Sequence, residues 1–110
     1  MTVTPEWVHN KRISILKQGT IGINSECCRK FFKNYKHIIF LFDRENNKLG
    51  IKPTNEPASN TYSIRLSRDG KLASVSAMAF LKYYNIPHKE SKSYPCEWNE
   101  SEKILEVKLK

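Results

Sequence analysis

Cysteine is scarce in this 110-residue sequence, which contains only Cys27, Cys28 and Cys96. An odd number of cysteines, two of them adjacent, is not the disulfide framework of a small secreted domain. The pattern favours small apolar side chains in a reducing compartment. No cysteine stands at a recognisable zinc-ligand spacing from a histidine, so the sequence predicts no metal and no other cofactor.

Long hydrophobic runs are also missing. The longest apolar stretch, Ile38–Phe42, is far shorter than the roughly 20 residues that a membrane-spanning helix needs. Residues 1–12 lack the apolar core of a secretory signal peptide. The sequence therefore predicts a protein that has no membrane segment and stays in the cytoplasm.

Patterns of catalytic residues are missing as well. The 11 Asp and Glu residues form no recognisable constellation, and the 3 histidines lie far from one another in the chain. No glycine-rich loop of the phosphate-binding kind is present. Because hydrolysis or group transfer needs a nucleophile with a base, paired carboxylates or metal ligands, we predict that the chain is not an enzyme.

The sequence does contain enough apolar residues for a core, and an excess of positive charge. Hydrophobic residues make up 39% of the chain and aromatic residues 11%, which suits one compact domain over residues 1–110. The net charge is +8, with 10 Lys and Arg against 4 Asp and Glu in residues 1–55 and 9 against 7 in residues 56–110. Such an imbalance is typical of a surface that binds a polyanion, although it also keeps a protein soluble.

One pattern occurs twice, in residues 13–32 and 64–84. Each stretch has a short alternating strand, a turn at a glycine, a second strand and an amphipathic helical pattern. Lys17 aligns with Arg68, 51 positions further along the chain. The separation between aligned residues becomes 52 after the turn and 56 in the hairpin that closes each copy. Because the same elements recur in the same order, the sequence predicts an internal duplication. Two similar but unrelated units are the alternative.

The duplication predicts a mainly β fold with two short helices, of the α+β class. Each copy reads β-β-α-β-β, and such a unit cannot bury both faces of its sheet alone. Two copies would together form one pseudo-twofold antiparallel barrel or sandwich. The predicted organisation is an N-terminal arm at 1–12, a first repeat at 13–53, a linker at 54–61 and a second repeat at 62–110.

Alternation predicts which side chains of the second copy face the core. Ile64 and Leu66 alternate with polar residues, so both should face inward. The extra residue near Ala73 predicts a β-bulge that brings Leu72 and Val75 to the same face. The polar residues 85–95 predict a loop.

Capping residues and apolar spacing predict where the helices begin and what they bury. Asn24 or Ser25 should cap the first helix, and Ser76 should cap the second. The first helix should present one apolar stripe. Its members are Cys27, Cys28, Phe31, Phe32 and Tyr35.

A specific order of residues surrounds the first turn. Lys17 precedes Gly-Thr-Ile-Gly-Ile-Asn at 19–24, and a short helix and the apolar hairpin 38–53 follow. This order resembles the AbrB/SpoVT family of swapped-hairpin DNA-binding domains, and residues 70–76 fill the same positions in the second copy. Asn24 and Ser76 stand where that family has proline, and its usual Gly-Asp pair before the apolar strand is absent. The resemblance implies a DNA-binding regulator in which two units, normally from two chains, are joined in one.

The candidate contacts for nucleic acid are cations, because phosphates are bound by positive charge on a rigid surface. The resemblance implies contacts from the first hairpin of each copy. The candidates there are Lys11, Arg12, Lys17, Arg65, Arg68 and Lys71. A secondary basic face lies on the predicted helices. Its members are Arg29, Lys30, Lys33 and Lys82. Each of these side chains also has the ordinary interpretation of a solvated cation.

We therefore predict a nucleic-acid-binding protein, a regulator that binds double-stranded DNA without catalysis. The alternative is a protein-protein interaction module, antitoxin-like or an assembly partner, that uses an exposed sheet edge of the apolar hairpin 38–52; such an edge would also allow a homodimer. A third interpretation is binding of single strands by stacking on Phe31-Phe32 and Tyr83-Tyr84. The helical spacing of these aromatics favours core packing instead.

Overall fold

The computed structural model describes residues 12–56, 60–68 and 72–109. These residues are mainly antiparallel strands with two short helices, which confirms that level of the fold prediction. The first elements are β1 (Arg12–Ile15), β2 (Thr20–Ile23), α1 (Ser25–Cys27) continued by a π-helical segment (Cys28–Phe32), β3 (His37–Asp43) and β4 (Lys48–Thr54). The remaining elements are β5 (Thr61–Ser63), β6 (Arg65–Leu66), β7 (Ala73–Ser76), α2 (Met78–Tyr83), β8 (Lys92–Asn99) and β9 (Ile104–Lys108).

The strands form one sheet that curls back on itself. Their order is β5-β3-β4-β9-β8-β1-β2-β7-β6. The two end strands, β5 and β6, are separated in sequence by Ile64 alone. The result is a nearly closed antiparallel barrel. No helix in the described part of the chain is long and apolar enough to cross a membrane.

Strict alternation in β1 and β2 builds one wall of the core. Ile13 lies opposite Ile23, and Ile15 lies opposite Ile21. All four side chains are buried, while the residues between them face outward. Alternation with period 2 sends every second side chain to the same face, so the sequence predicts both strands correctly.

Residues 64–84 depart from the predicted alternation. Ala73 and Val75 are buried in β7, whereas Leu72 is 51% exposed. The predicted bulge is therefore wrong, because the extra residue lies before the strand and leaves its alternation regular. Leu66 is predicted to face inward but is 52% exposed, since β6 is the end strand of the described sheet and has β7 as its one neighbour there.

Residues 85–95 are only partly a loop. The strand β8 begins at Lys92, four residues before the predicted start. Pro95 lies opposite Arg12, and Ser93 lies opposite Ser14. Pairing with β1 thus extends β8 into the segment that its polar residues predict to be a loop.

The two helices begin in different ways. The side chain of Asn24 accepts a hydrogen bond from the backbone N–H of Cys27 at 3.2 Å, which confirms the predicted cap of α1. The predicted cap Ser76 is wrong, because the N-cap position of α2 is Ala77 and no side chain caps it. The N–H of Ala77 instead donates to the carbonyl of Gly19 at 2.8 Å, so the β1–β2 turn holds the start of α2.

The difference between the two caps is testable. We expect Asn24→Ala to lower the free energy of unfolding by about 1 kcal/mol, because it leaves a helix N–H without its partner. Ser76→Ala is the matched control and should change it by less than about 0.5 kcal/mol. Urea denaturation of both variants measures the two values; equal losses would contradict the assignment of Asn24 as the cap.

Aromatic side chains attach the helices to the barrel. Phe31 stacks on Trp98 of β8 with ring centroids 4.4 Å apart, and Phe32 is completely buried. From α2, Phe80 packs on Phe40 of β3 at 4.9 Å. Tyr35, the last member of the predicted stripe, is 41% exposed because the π-helical segment ends at Phe32.

Candidate nucleic-acid interface

The outward faces of β8, β1, β2, β7 and β6 carry a row of small side chains that ends in an arginine. Ser14 lies opposite Ser93 on one side and opposite Gly22 on the other. Gly22 lies opposite Ser74, and Ser74 lies opposite Arg65. We call these five residues the serine row. With neighbouring strands about 4.8 Å apart, the row is roughly 19 Å wide, and its short side chains let another molecule approach the backbone.

A shallow groove of about 540 Å³ follows the serine row on the strands β1, β2, β7 and β6. Ser14, Gly22 and Ser74 line it together with Leu66 and Leu72. The two leucines are each about half exposed. The lining of the groove is therefore mainly apolar, with a few small polar side chains such as Ser14 and Ser74.

Acidic residues are absent from this part of the sheet. The strands β1, β2, β6 and β7 contain Arg12 and Arg65 but no Asp or Glu. The strands β8 and β9 contain Glu97 and Glu106, which lie opposite each other. Charge is therefore distributed unevenly around the barrel. The strands β1, β2, β6 and β7 carry no negative side chain, whereas β8, which contributes Ser93 to the serine row, carries Glu97.

Arg12 is tied to the neighbouring strand. Its Nε donates to Ser93 Oγ at 2.7 Å, and a terminal guanidinium nitrogen donates to the Ser93 carbonyl at 3.0 Å. Two of the five guanidinium N–H groups are used in this way. Arg12 thus joins β1 to β8 while its positive charge remains on the face.

Lys17 and Arg68 lie in turns at opposite ends of the same face. Lys17 follows β1 and is exposed; its backbone N–H donates to Ser91 Oγ at 3.1 Å. Arg68 follows β6 and is also exposed. Since β1 and β6 run in opposite directions, Lys17 and Arg68 lie on opposite sides of the serine row, each beyond the end of its own strand. Lys11 and Lys71 lie outside the described residues.

The secondary basic face is separate from the serine row. Arg29 and Lys30 are exposed on the π-helical segment, and Lys33 and Lys82 are exposed nearby and on α2. These elements pack on Cys96 and Phe40, which are inward-facing side chains of β8 and β3. The structure thus divides the predicted cations into a sheet group and a helix group.

The aromatic pairs are mostly engaged within the protein. Phe31 stacks on Trp98, and Phe32 has no exposed surface. The ring centroids of Tyr84 and Phe42 are 5.2 Å apart. Tyr83, in contrast, is 74% exposed. Tyr83 is therefore largely exposed, although its ring contacts the Tyr84 ring with centroids 4.8 Å apart.

Two carboxylates are held by local hydrogen bonds away from the serine row. The side chain and backbone of Asn46 hold the pKa of Asp43 below its usual value. Hydrogen bonds from Lys103 and from Trp98 Nε1 do the same for the pKa of Glu100. Both carboxylates are therefore charged at neutral pH and serve to fix turns.

The buried thiols do not form a metal cluster. Cys27 Sγ and Cys96 Sγ are 3.7 Å apart, and burial raises the pKa of Cys28. Within 12–56, 60–68 and 72–109, no group of three or more His, Cys, Asp or Glu side chains is arranged to hold a metal ion.

Sequence reasoning missed most of the serine row. It selected cations by type, so Ser14, Gly22, Ser74 and Ser93 were not candidates. The signal that could have revealed them is the recurrence of small residues at the outward positions of β1, β2 and β7. Comparisons with family models, with curated proteins and with solved structures find no match to this chain.

Proposed function

We propose that this chain is a cytoplasmic regulator that binds double-stranded DNA, without catalysis, through the outward face of β1, β2, β7 and β6. The observation that carries the proposal is the distribution of charge on that face. The strands β1, β2, β7 and β6 contain no Asp or Glu, the serine row ends in Arg65, and Lys17 and Arg68 lie in turns on opposite sides of the row. When such cations neutralise DNA phosphates, the counterions condensed on the DNA are released into solution. This release supplies most of the affinity of non-specific DNA binding.

The proposal includes a duplication of residues 13–53 in residues 62–110. The strand register between β2 and β7 supports it. Ile21 lies opposite Val75, and Ile23 lies opposite Ala73. Under the proposed duplication Ile21 corresponds to Ala73 and Ile23 corresponds to Val75, each 52 positions further on. Replacing every residue by its counterpart turns the first pair into the second, so a pseudo-twofold axis would pass between Gly22 and Ser74.

The opposite side of the barrel supports the same axis. Leu49 lies opposite Val107, and Ile51 lies opposite Leu105. Exchanging residues 56 positions apart again converts one pair into the other. The same axis would therefore cross the serine row between Gly22 and Ser74, and it would make Lys17 and Arg68 symmetric partners.

The pairing of hairpins supports the resemblance to the AbrB/SpoVT family. The hairpin β1–β2 pairs through β1 with β8, and β3 pairs with β5. Each copy would thus place its first hairpin against the second hairpin of the other copy. In the swapped-hairpin family such exchange normally joins two chains, and here it would join two halves of one chain.

Binding to DNA should show a salt dependence that these cations set. We expect wild-type protein to bind a random duplex with an affinity that falls steeply as salt rises. Each phosphate contact contributes about 0.9 to the slope of log K against log salt, so Lys17→Ala/Arg68→Ala should reduce the slope by about 1.8. Fluorescence anisotropy over a salt series measures both slopes.

A second double variant controls for the loss of net charge. Lys33→Ala/Lys82→Ala removes the same charge from the helix group and should leave the slope nearly unchanged. An equal reduction in both variants would refute docking on the sheet face. An absence of binding at low salt would refute the proposal as a whole.

An apolar interaction surface is the second candidate function, and two observations favour it. Leu66 and Leu72 are half exposed beside the groove. Within the described residues, the edge of β3 is paired with β5 only over 37–39, so no described strand covers Phe40–Asp43 on that side. A partner or a second copy bound there would be retained at high salt, which distinguishes this function from DNA binding.

A further inference from the structure

Two buried thiols from distant parts of the chain lie in contact. Cys27 is in α1 and Cys96 is in β8, 69 positions apart, and their Sγ atoms are separated by 3.7 Å. Cys27 has no exposed surface, and Cys96 is 8% exposed. A disulfide bond is about 2.05 Å long, so the two sulfur atoms need to approach by less than about 2 Å to be joined.

We propose that Cys27 and Cys96 form a thiol-disulfide site, which a low-molecular-weight disulfide such as glutathione disulfide converts into a cross-link within the chain. This inference does not depend on nucleic-acid binding. It rests on the contact between the two sulfur atoms and on the position of each thiol at the junction between a helix and the barrel.

The reaction proceeds by two exchanges. The thiolate of Cys96, the more exposed of the two, attacks one sulfur of the small disulfide and forms a mixed disulfide, and one small thiolate leaves. The thiolate of Cys27 then attacks Sγ of Cys96, forms the Cys27–Cys96 bond and expels the second small thiolate. The two protons lost by the protein thiols go to the two released thiolates. The protein loses two electrons, and the small disulfide gains them.

Cys28 is the third thiol and the natural competitor. It directly follows Cys27, and adjacent cysteines do not reach relaxed disulfide geometry with each other. Cys96 Sγ already lies in contact with Cys27 Sγ, and burial raises the pKa of Cys28. We therefore expect Cys28 to remain reduced when the other two are joined.

The cross-link would fix the first helix to the barrel. Cys27 is the last residue of α1 and precedes the π-helical segment that carries Arg29 and Lys30. β8 is paired with β1 on one side and β9 on the other. Closing a loop of this length restricts the unfolded chain strongly, so the oxidised protein should unfold at higher denaturant concentration than the reduced one.

The test uses the full chain, folded, in buffers with a series of ratios of glutathione disulfide to glutathione. After acid quenching and alkylation, the mass of the intact protein reports the number of remaining thiols. We expect wild type to go from three thiols to one and its urea midpoint to rise by at least about 1 M, with both changes reversed by excess reductant.

Single substitutions assign the bond, because Cys27 and Cys28 lie on the same tryptic peptide. Cys28→Ser should form the cross-link as wild type does. Cys27→Ser and Cys96→Ser should yield only mixed disulfides. The proposal is overturned if wild type keeps three thiols or stops at mixed disulfides under these buffers, or if Cys28→Ser is the variant that loses the cross-link. The wild-type result is decisive even where a variant fails to fold.

Discussion

Replacing Gly19 by alanine is expected to lower the free energy of unfolding by about 3 kcal/mol. Gly19 has a φ of +89°, which costs a residue with a side chain about 1–2 kcal/mol. An added Cβ would also lie 2.6 Å from Met78 Cε and 2.9 Å from Met78 Cβ, which adds an overpacking cost of about 1–3 kcal/mol. Urea denaturation measures the loss as a lower midpoint.

Gly22 provides the matched control. A Cβ added there would find its nearest neighbour, Ser14 Cβ, at 3.7 Å, an ordinary contact distance. Gly22→Ala should therefore change the free energy of unfolding by less than about 1 kcal/mol. Met78→Ala in the Gly19→Ala background should recover part of the loss, since it removes Cε but keeps Cβ. If the two glycine variants are equally stable, the described packing of the turn under α2 is wrong.

Replacing Phe32 by alanine is expected to cost about 4 kcal/mol, within the range for truncating a buried aromatic residue. Phe32 is the largest of the fully buried side chains, and it lies on the π-helical segment that covers the core. A domain of this size has a total stability of about 5–15 kcal/mol. The variant should therefore show a much lower melting temperature in circular dichroism.

Tyr83 is the control for Phe32, because the sequence allows either residue to pack in the core or to stack on the bases of a single strand. Tyr83 is 74% exposed, so Tyr83→Ala should lower stability by less than about 1 kcal/mol. Comparable losses in the two variants would contradict the structure. If Tyr83→Ala instead weakens binding to single-stranded oligonucleotides while leaving stability intact, base stacking at this ring would be established.

Local signals were sufficient where neighbouring residues determine the structure. The alternation of Ile13, Ile15, Ile21 and Ile23 predicts both the strands and their buried face. The side chain of Asn24 accepts a hydrogen bond from the N–H of Cys27, three residues further on, and the sequence predicts Asn24 as one of two possible caps. Such interactions involve few residues, and pattern alone defines them.

Errors arose where a distant segment determines the outcome. Ser76 has the chemistry of a cap, but the turn at Gly19 already holds the start of α2. The segment before Cys96 has the composition of a loop, but β1 supplies a partner that turns it into a strand. Leu66 is apolar, but the strand that carries it lies at the end of the sheet.

Only the charged residues of the candidate site could be predicted from the sequence, because the arrangement of the remaining residues depends on pairing between distant strands. The charge of Lys17, Arg65 and Arg68 is a property of the sequence. The serine row exists only because β1 lies between β8 and β2, and because β2 lies beside β7. The anchoring of Arg12 to Ser93 likewise requires a pairing across 81 positions, which no local pattern encodes.

The place of β1 between β2 and β8 also determines how the chain must fold. Arg12 can pair with Pro95 only after most of the chain has emerged from the ribosome. Until then the β1 edge of the first hairpin has no partner strand. Contacts of such long range slow folding to the range of milliseconds to seconds, and an uncovered edge in that interval favours pairing between chains. If the chain is cut in the segment between β4 and β5, each of the two fragments should be unstructured alone. The fragments should assemble into the barrel when they are mixed.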